Sequence, residues 1–297
     1  MRLPEFETKS ELFDYLRKNK KLLVKAKKSA IKYADAMVYK PSLFQTKDGG
    51  TKSIDLTDGT QDIESIIAKL VINTTNLMDS HSDVHIPGLW KKTISEQRSI
   101  YLLQEHSMKF ESVISDEVKA STAKYSFKDL GYPELKGQTE ALIFDAIISE
   151  DRNEFMFEQY LNGWVKNHSV GMQYVQLLLC INSESKMDAE EKANWDKYYP
   201  MIANSEVADE QGYFWAVLEA KLIEGSAVLR GSNYATPTLD VTIGEVTTED
   251  DMCECGGTMV GNVCLSCGNK KSAPLNDTQK QAVKTLVEKK NAMRKFL

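Results

Sequence analysis

LNGWVKNHSVGMQYVQLLLCI occupies residues 161–181. Its first residues close a helix. Its last form an apolar run rich in Val, Leu and Ile, the composition of a strand buried on both faces. Between them lies Asn167-His168-Ser169-Val170-Gly171, with one histidine beside one serine. Ser169 is either a polar residue at a strand start or a nucleophile held where helix meets strand. In extended backbone, neighbouring side chains point to opposite faces. His168 is then badly placed to be the base for its own neighbour and reads as structural. Cys180, inside the apolar run, reads as a small buried hydrophobe.

Around this stretch the chain alternates in character. Residues 66–77, 99–106, 109–127 and 213–229 are rich in β-formers. Residues 139–148 and 154–166 keep helical spacing. Residues 183–211 are polar, with Asp188-Ala-Glu-Glu a helix start, and read as a mostly helical insertion. Strands separated by two helices imply a mixed α/β core between about residues 66 and 240.

The flanks differ. Residues 8–40 read as one long helix with Ser10 as N-cap, within an N-terminal basic segment, 1–44. Arg17, Lys18, Lys20, Lys21, Lys25, Lys27, Lys28 and Lys32 make it either a solvated face or a docking arm for an acidic protein partner. Residues 45–65 read as a linker, because QTKDGGTKSIDLTDGTQD is polar and rich in Gly and Asp. Residues 241–251 read as an acidic connector. A cysteine cluster (252–270) and a C-terminal helix (275–297) follow, the helix with Lys289, Lys290, Arg294 and Lys295 toward its end, where cations suit the dipole.

Composition narrows the classes. The chain has 297 residues, 42% hydrophobic and 27% charged, with a net charge of −6. This is an ordinary globular balance, and it points to neither nucleic acid nor an anionic membrane. No apolar run approaches the ~18 residues of a membrane span. The first residues lack the apolar core of a secretory signal, so the expected setting is inside a cell, where thiols stay reduced.

In MCECGGTMVGNVCLSCGN, Cys253, Cys255, Cys264 and Cys267 form a C-x-C-x8-C-x2-C pattern. Two close pairs around a hairpin can present four thiolates to one tetrahedral Zn²⁺. Gly261-Asn262 between β-formers suits that hairpin. Four thiolates leave no open coordination position, so the expected ion is one structural zinc per chain, with no catalytic role. The knuckle at Cys253 and Cys255 is one residue tighter than in most zinc ribbons. The acidic chain and the lack of aromatic residues among basic ones in the ribbon weigh against nucleic-acid binding.

Four stretches together resemble the caudoviral prohead (head-maturation) protease family. KLVINTTNLMDSHSDVHIPGLWKKTI (69–94) is similar to its opening strand and turn, matched at Asp79, Asp83, Pro87, Gly88 and Trp90. IYLLQEH (100–106) is similar to its strand ending in histidine, and NHSVGMQY (167–174) to its serine-bearing strand start. AKLIEGSAVLRGSNYATP (220–237) is similar to its later strand and the small-residue stretch after it. The resemblance implies an α+β fold like herpesvirus assemblin: a mixed, β-barrel-like protease core with surrounding helices. It implies a serine endopeptidase that matures tailed-phage capsids, cleaving scaffold, major capsid protein and possibly itself inside the procapsid in the host cytoplasm. Carried over by position, Ser169 is the nucleophile, His106 the general base and Glu224 the acid that orients it. His168, Met172 and the 183–211 insertion depart from the family pattern. The alternative is a catalytically silent scaffold or cargo protein of the phage head that keeps the fold.

The chemistry is self-consistent. A serine hydroxyl needs a neutral imidazole to take its proton and a carboxylate to hold the imidazole's other N–H. The chain has four histidines: His81, His85, His106 and His168. His81 and His85 read as part of a polar turn rather than a metal pair. His106 closes a strand, where a side chain can face a cleft. No catalytic cofactor is expected.

Overall fold

The computed structural model describes residues 3–32, 63–96 and 99–243, and the backbone of 259–260 and 263–264. In chain order, helix α1 (Lys9–Ser29) leads into strand β1 (Ile31–Lys32). Next come β2 (Ser65–Thr74), β3 (Asp83–His85), the short helix α2 (Lys91–Ser95), β4 (Leu102–Gln104), β5 (Val113–Ser115), β6 (Glu117–Ser126) and β7 (Gln138–Ser149). Then follow α3 (Glu154–Leu161), β8 (Asn167–Ile181), α4 (Ala189–Tyr198), α5 (Ser205–Gln211), β9 (Tyr213–Val228) and β10 (Thr238–Ile243).

The strands make two sheets. One has the order β1-β8-β9-β4-β5, with β3 also on β9; the other has the order β10-β2-β7-β6. The long pair β8 and β9 is antiparallel from Asn167↔Val228 to Ile181↔Tyr213, and the 183–211 insertion joins their ends. β3 and β4 both run parallel to β9, against its first and last residues respectively. The chain changes sheets at Asp116, between β5 and β6. Ser115 Oγ donates to Ile147 O of β7 (2.5 Å) at that corner.

The sheets pack face to face. Leu70, Ile72, Leu142 and Phe144 of the second sheet share one core with Val170, Met172 and Val217 of the first. Each large apolar side chain so buried contributes about 1.5–3 kcal/mol. At Gly225 the two sheets approach closely: a Cβ there would lie 2.4 Å from the Phe144 ring and 3.1 Å from Ile72. A second cluster, including Trp195, Tyr198, Ala208 and Phe214, fastens the insertion to β9.

The architecture is mixed α+β, as expected, but the barrel-like core is corrected to two open sheets. Among the described residues β1, β5, β6 and β10 end their sheets, and closure would require those edges to pair. The helix expected over 139–148 is instead β7. It lies between β2 and β6. Leu142, Phe144, Ala146 and Ile148 face the main core, while Ala141 and Ile143 face Val71 and Leu130. With both faces covered, the apolar run is nearly continuous, and periodicity alone does not separate strand from helix.

The N-terminal helix is shorter than 8–40. Its N-cap is Thr8 rather than Ser10, because Thr8 Oγ1 accepts the Glu11 N–H (3.3 Å). Ala30 turns extended, and Ile31 then pairs with Gln173. Leu16 and Leu23 enter the core. Part of the basic face pairs with acids of this same chain: Arg17 with Asp188 (2.5 Å), Lys20 with Glu191 (2.7 Å) and Lys27 with Asp83. No helix of the described residues is long and apolar enough to cross a membrane.

The chain divides into two units, Met1–Ile243 and Gly244–Leu297. In the second, β11 (Met259–Val260) pairs antiparallel with β12 (Val263–Cys264), the two strands expected on either side of Gly261-Asn262. Cys253, Cys255, Cys267, residues 45–62 of the expected linker, residues 244–251 of the expected connector and the 275–297 helix lie outside the described residues, whereas Ser65 of the linker begins β2 and residues 241–243 of the connector belong to β10, which pairs with β2.

Candidate active site

Alternation along β8 and β9 places Ser169 and Glu224 on one face. Ser169 is directly opposite Ser226, and Gly171 is opposite Glu224. Directly opposed residues share a face of the sheet, as do residues two apart on one strand. Ser169, Gly171, Glu224 and Ser226 therefore occupy one face. β4 lies on the other side of β9, with Leu103 opposite Ser226. Two residues past its end, His106 folds back over the same strand.

His106 Nδ1 lies 2.6 Å from Glu224 Oε1. The carboxylate accepts, so Nδ1 carries the proton and the Nε2 lone pair faces away from Glu224. The second carboxylate oxygen is held too: Ser226 Oγ donates to Glu224 Oε2 (2.6 Å) and accepts the His106 N–H (3.1 Å). Glu224 and Ser226 are fully buried, Ser169 is 4% exposed, and the His106 side chain 10%.

Two backbone features make this arrangement possible. Glu105 and His106 both have positive φ, 50° and 57°. Left-handed backbone costs a non-glycine residue about 1–2 kcal/mol, and such strain collects at functional sites. Here it turns the chain sharply off β4 and lays the imidazole over Glu224. The second feature is Gly171, where a Cβ would sit 2.1 Å from Glu224 Oε1. The carboxylate fills the space that glycine leaves.

His168 takes no part. It is fully buried on the opposite face, stacked on Tyr160. Its Nδ1 donates to Thr236 O (3.1 Å), which leaves Nε2 to accept from the Tyr160 hydroxyl (3.0 Å). Burial lowers its pKa to about 4, so the ring is neutral at ordinary pH.

His81 and His85 separate in the structure. His81 stands in the turn, where Asp79 Oδ1 accepts the N–H groups of His81 (2.8 Å) and Asp83 (2.9 Å). His85 belongs to strand β3 and is buried, which corrects its place in a polar turn. Its ring lies between Asn73 Nδ2 (2.9 Å) and the Tyr174 hydroxyl (3.3 Å), and Tyr174 donates on to Asp83 Oδ2 (2.8 Å). This chain of buried polar groups runs from Asn73 through His85, Tyr174 and Asp83 to Lys27 of α1. Among the described residues no three His, Cys, Asp or Glu side chains are grouped to hold a metal. Of the four candidate ligand cysteines only Cys264 falls on a described element, β12.

A small pocket, with room for about one water, lies beside Ser169, lined also by Val170, Ile72, Asn73, Asp79 and His81. Of the three candidate catalytic residues only Ser169 lines it. The 229–237 loop borders the same serine. A Cβ on Gly231 would lie 3.0 Å from the carbonyl oxygens of His168 and Asn233, and 3.7 Å from Ser169 Cβ. Asn233 is pinned to β2 by Thr74 Oγ1 (2.9 Å) and Thr74 O (2.8 Å), and Thr236 Oγ1 donates to His168 O (2.7 Å).

Sequence reasoning gave no role to Ser226 or to the loop glycine. For Ser226 a signal was present, because alternation in LIEGS puts it on the face of Glu224. Comparison with known protein families, characterised proteins and solved structures finds no match.

Proposed function

We propose that this chain is a serine peptidase in which Ser169 is the nucleophile, His106 the general base and Glu224 the carboxylate that orients the imidazole. The single observation that carries this reading is the 2.6 Å contact of His106 Nδ1 with Glu224, on the face of β9 that Ser169 shares from β8. In the reaction, Ser169 Oγ bonds to the substrate carbonyl carbon while His106 Nε2 takes the hydroxyl proton. The same proton passes to the leaving amine as the C–N bond breaks. Water then repeats the cycle on the acyl-enzyme and releases the acid. Resemblance to the prohead proteases extends the proposal: the substrates are phage scaffold, major capsid protein and the chain itself, cleaved inside an assembling head. One observation favours a second reading, a catalytically silent head protein: Ser169 is only 4% exposed.

A fluorophosphonate probe separates the two. It phosphonylates an activated serine hydroxyl with loss of fluoride. Wild type should gain one probe mass, mapped to Ser169. Ser169→Ala and His106→Ala should gain none, and each should lose capsid-protein cleavage almost as completely as the double variant, because the pair acts as a unit. An unlabelled wild type, or processing by Ser169→Ala, would leave the silent reading or another mechanism.

A further inference from the structure

Ser226 is fully buried, and its hydroxyl serves two neighbours at once. Its Oγ lies 3.1 Å from the backbone N of His106 and 2.6 Å from Glu224 Oε2. A hydroxyl has one proton to give and two lone pairs with which to receive. The His106 N–H can only donate and a carboxylate oxygen can only accept, so the direction is fixed. His106 N–H donates to Ser226 Oγ, and the Ser226 O–H donates to Glu224 Oε2. Glu224 Oε1 in turn accepts from the proton-bearing Nδ1 of the same histidine (2.6 Å). Three hydrogen bonds thus form a closed ring that leaves from the backbone of His106 and returns to its imidazole.

The ring ties together the parts of the site that are hardest to hold. His106 stands on left-handed backbone at φ 57°, next to Glu105 at 50°. Both successive N–H groups of that turn go to β9, Glu105 N–H to Ala227 O (3.0 Å) and His106 N–H to Ser226 Oγ. The terminal torsion of a glutamate is broad, so one contact at Oε1 leaves the carboxylate plane loose, whereas a donor on each oxygen sets it. The Ser226 proton is committed to Glu224, so this serine does not compete with Ser169 as a nucleophile. We propose that Ser226 is a positioning residue: through one hydroxyl it fixes the His106 backbone and the Glu224 carboxylate in register, and so holds the imidazole in one orientation and tautomer. The proposal rests on the reading of His106 as base and Glu224 as its orienting carboxylate.

The test compares Ser226→Thr with Ser226→Val in the full chain. The two side chains have nearly the same shape, and only threonine has the hydroxyl. The first readout needs no turnover. The His106 Nδ1 proton, in so short a contact with a carboxylate, resonates far downfield and is assigned by its loss in His106→Ala. The signal should persist in wild type and Ser226→Thr and be lost to exchange in Ser226→Val. The second readout is the rate at which the fluorophosphonate probe labels Ser169. Ser226→Val should react about 10- to 100-fold more slowly than Ser226→Thr, the worth of one hydrogen bond to a charged group. A downfield signal missing from wild type, or equally strong in Ser226→Val, overturns the proposal. So does equal labelling of the two variants where wild type is labelled. Ser226→Ala beside wild type makes the same comparison where the branched pair does not fold. A signal that depends on the Ser226 hydroxyl in a wild type that takes no probe would sink the peptidase reading and keep the positioning role. Labelling at Ser169 that ignores Ser226 would do the reverse.

Discussion

Glu224 touches three things at once: the imidazole of His106, the hydroxyl of Ser226 and the empty flank of Gly171. The first contact sets the tautomer, the second fixes the carboxylate plane, and the third gives it room. Glu224→Gln preserves shape and loses charge, so the chain should fold and lose at least ~10²-fold in kcat, against ~10⁴ for a triad carboxylate elsewhere. Gly171→Ala tests the same point from the other strand. Its methyl must displace the carboxylate, so kcat should fall to a similar degree while KM changes little, at a stability cost of about 1–3 kcal/mol. Steady-state kinetics beside urea unfolding would show this, and full activity in Gly171→Ala would deny Glu224 its role. At this scale the sequence was informative where position along a strand decides the face: Ser169 against His168, and Glu224 with Ser226. It was silent where conformation decides. Nothing in YLLQEH announces two successive left-handed residues at Glu105 and His106, because neither is a glycine.

Elements held by long, continuous patterns were legible: β2, β8, β9, α3 and the helical insertion all fall close to where spacing and composition put them. β7 was not, since a strand covered on both faces loses the alternation that would identify it. The end of α1 was not, because β1 is stopped and held by pairing with β8, a contact remote in sequence. The basic stripe of α1 was read as solvated or as reaching a partner. In the fold, Lys27 meets Asp83 beneath the helix, at 13% and 0% side-chain exposure. Removing one member of such a pair strands the other in low dielectric, so Lys27→Met should cost about 3 kcal/mol or more. The exposed pair of Lys92 with Glu219 (3.1 Å) is the control, and Lys92→Met should cost under about 1 kcal/mol. Equal midpoints for the two variants in urea would show that the Lys27 contact does not hold α1 in place.

For the molecule as a whole, the first unit is built on contacts between distant parts of the chain, and for the second we propose that residues 253–267 form a small module that needs a metal. So few residues make no adequate core alone, and metal-binding free energy then becomes folding free energy. Purified protein should carry about one zinc per chain, lost in Cys264→Ser and Cys267→Ser, as elemental analysis would show. Chelation should loosen the second unit and leave peptide hydrolysis intact, because a closed four-thiolate site offers water no position. Reversible loss of cleavage on stripping, with the first unit still folded, would break that separation. The order of assembly follows from where Glu224 sits. It contacts a histidine 118 residues earlier, and it arrives on the strand that pairs with both β4 and β8. A nascent chain synthesised only as far as residue 223 already contains Ser169 and His106, but it lacks the carboxylate and the ladder residues that align them. On the proposed mechanism, a growing polypeptide is harmless to its neighbours on the ribosome, and reactivity arrives only with the last strands of the first unit.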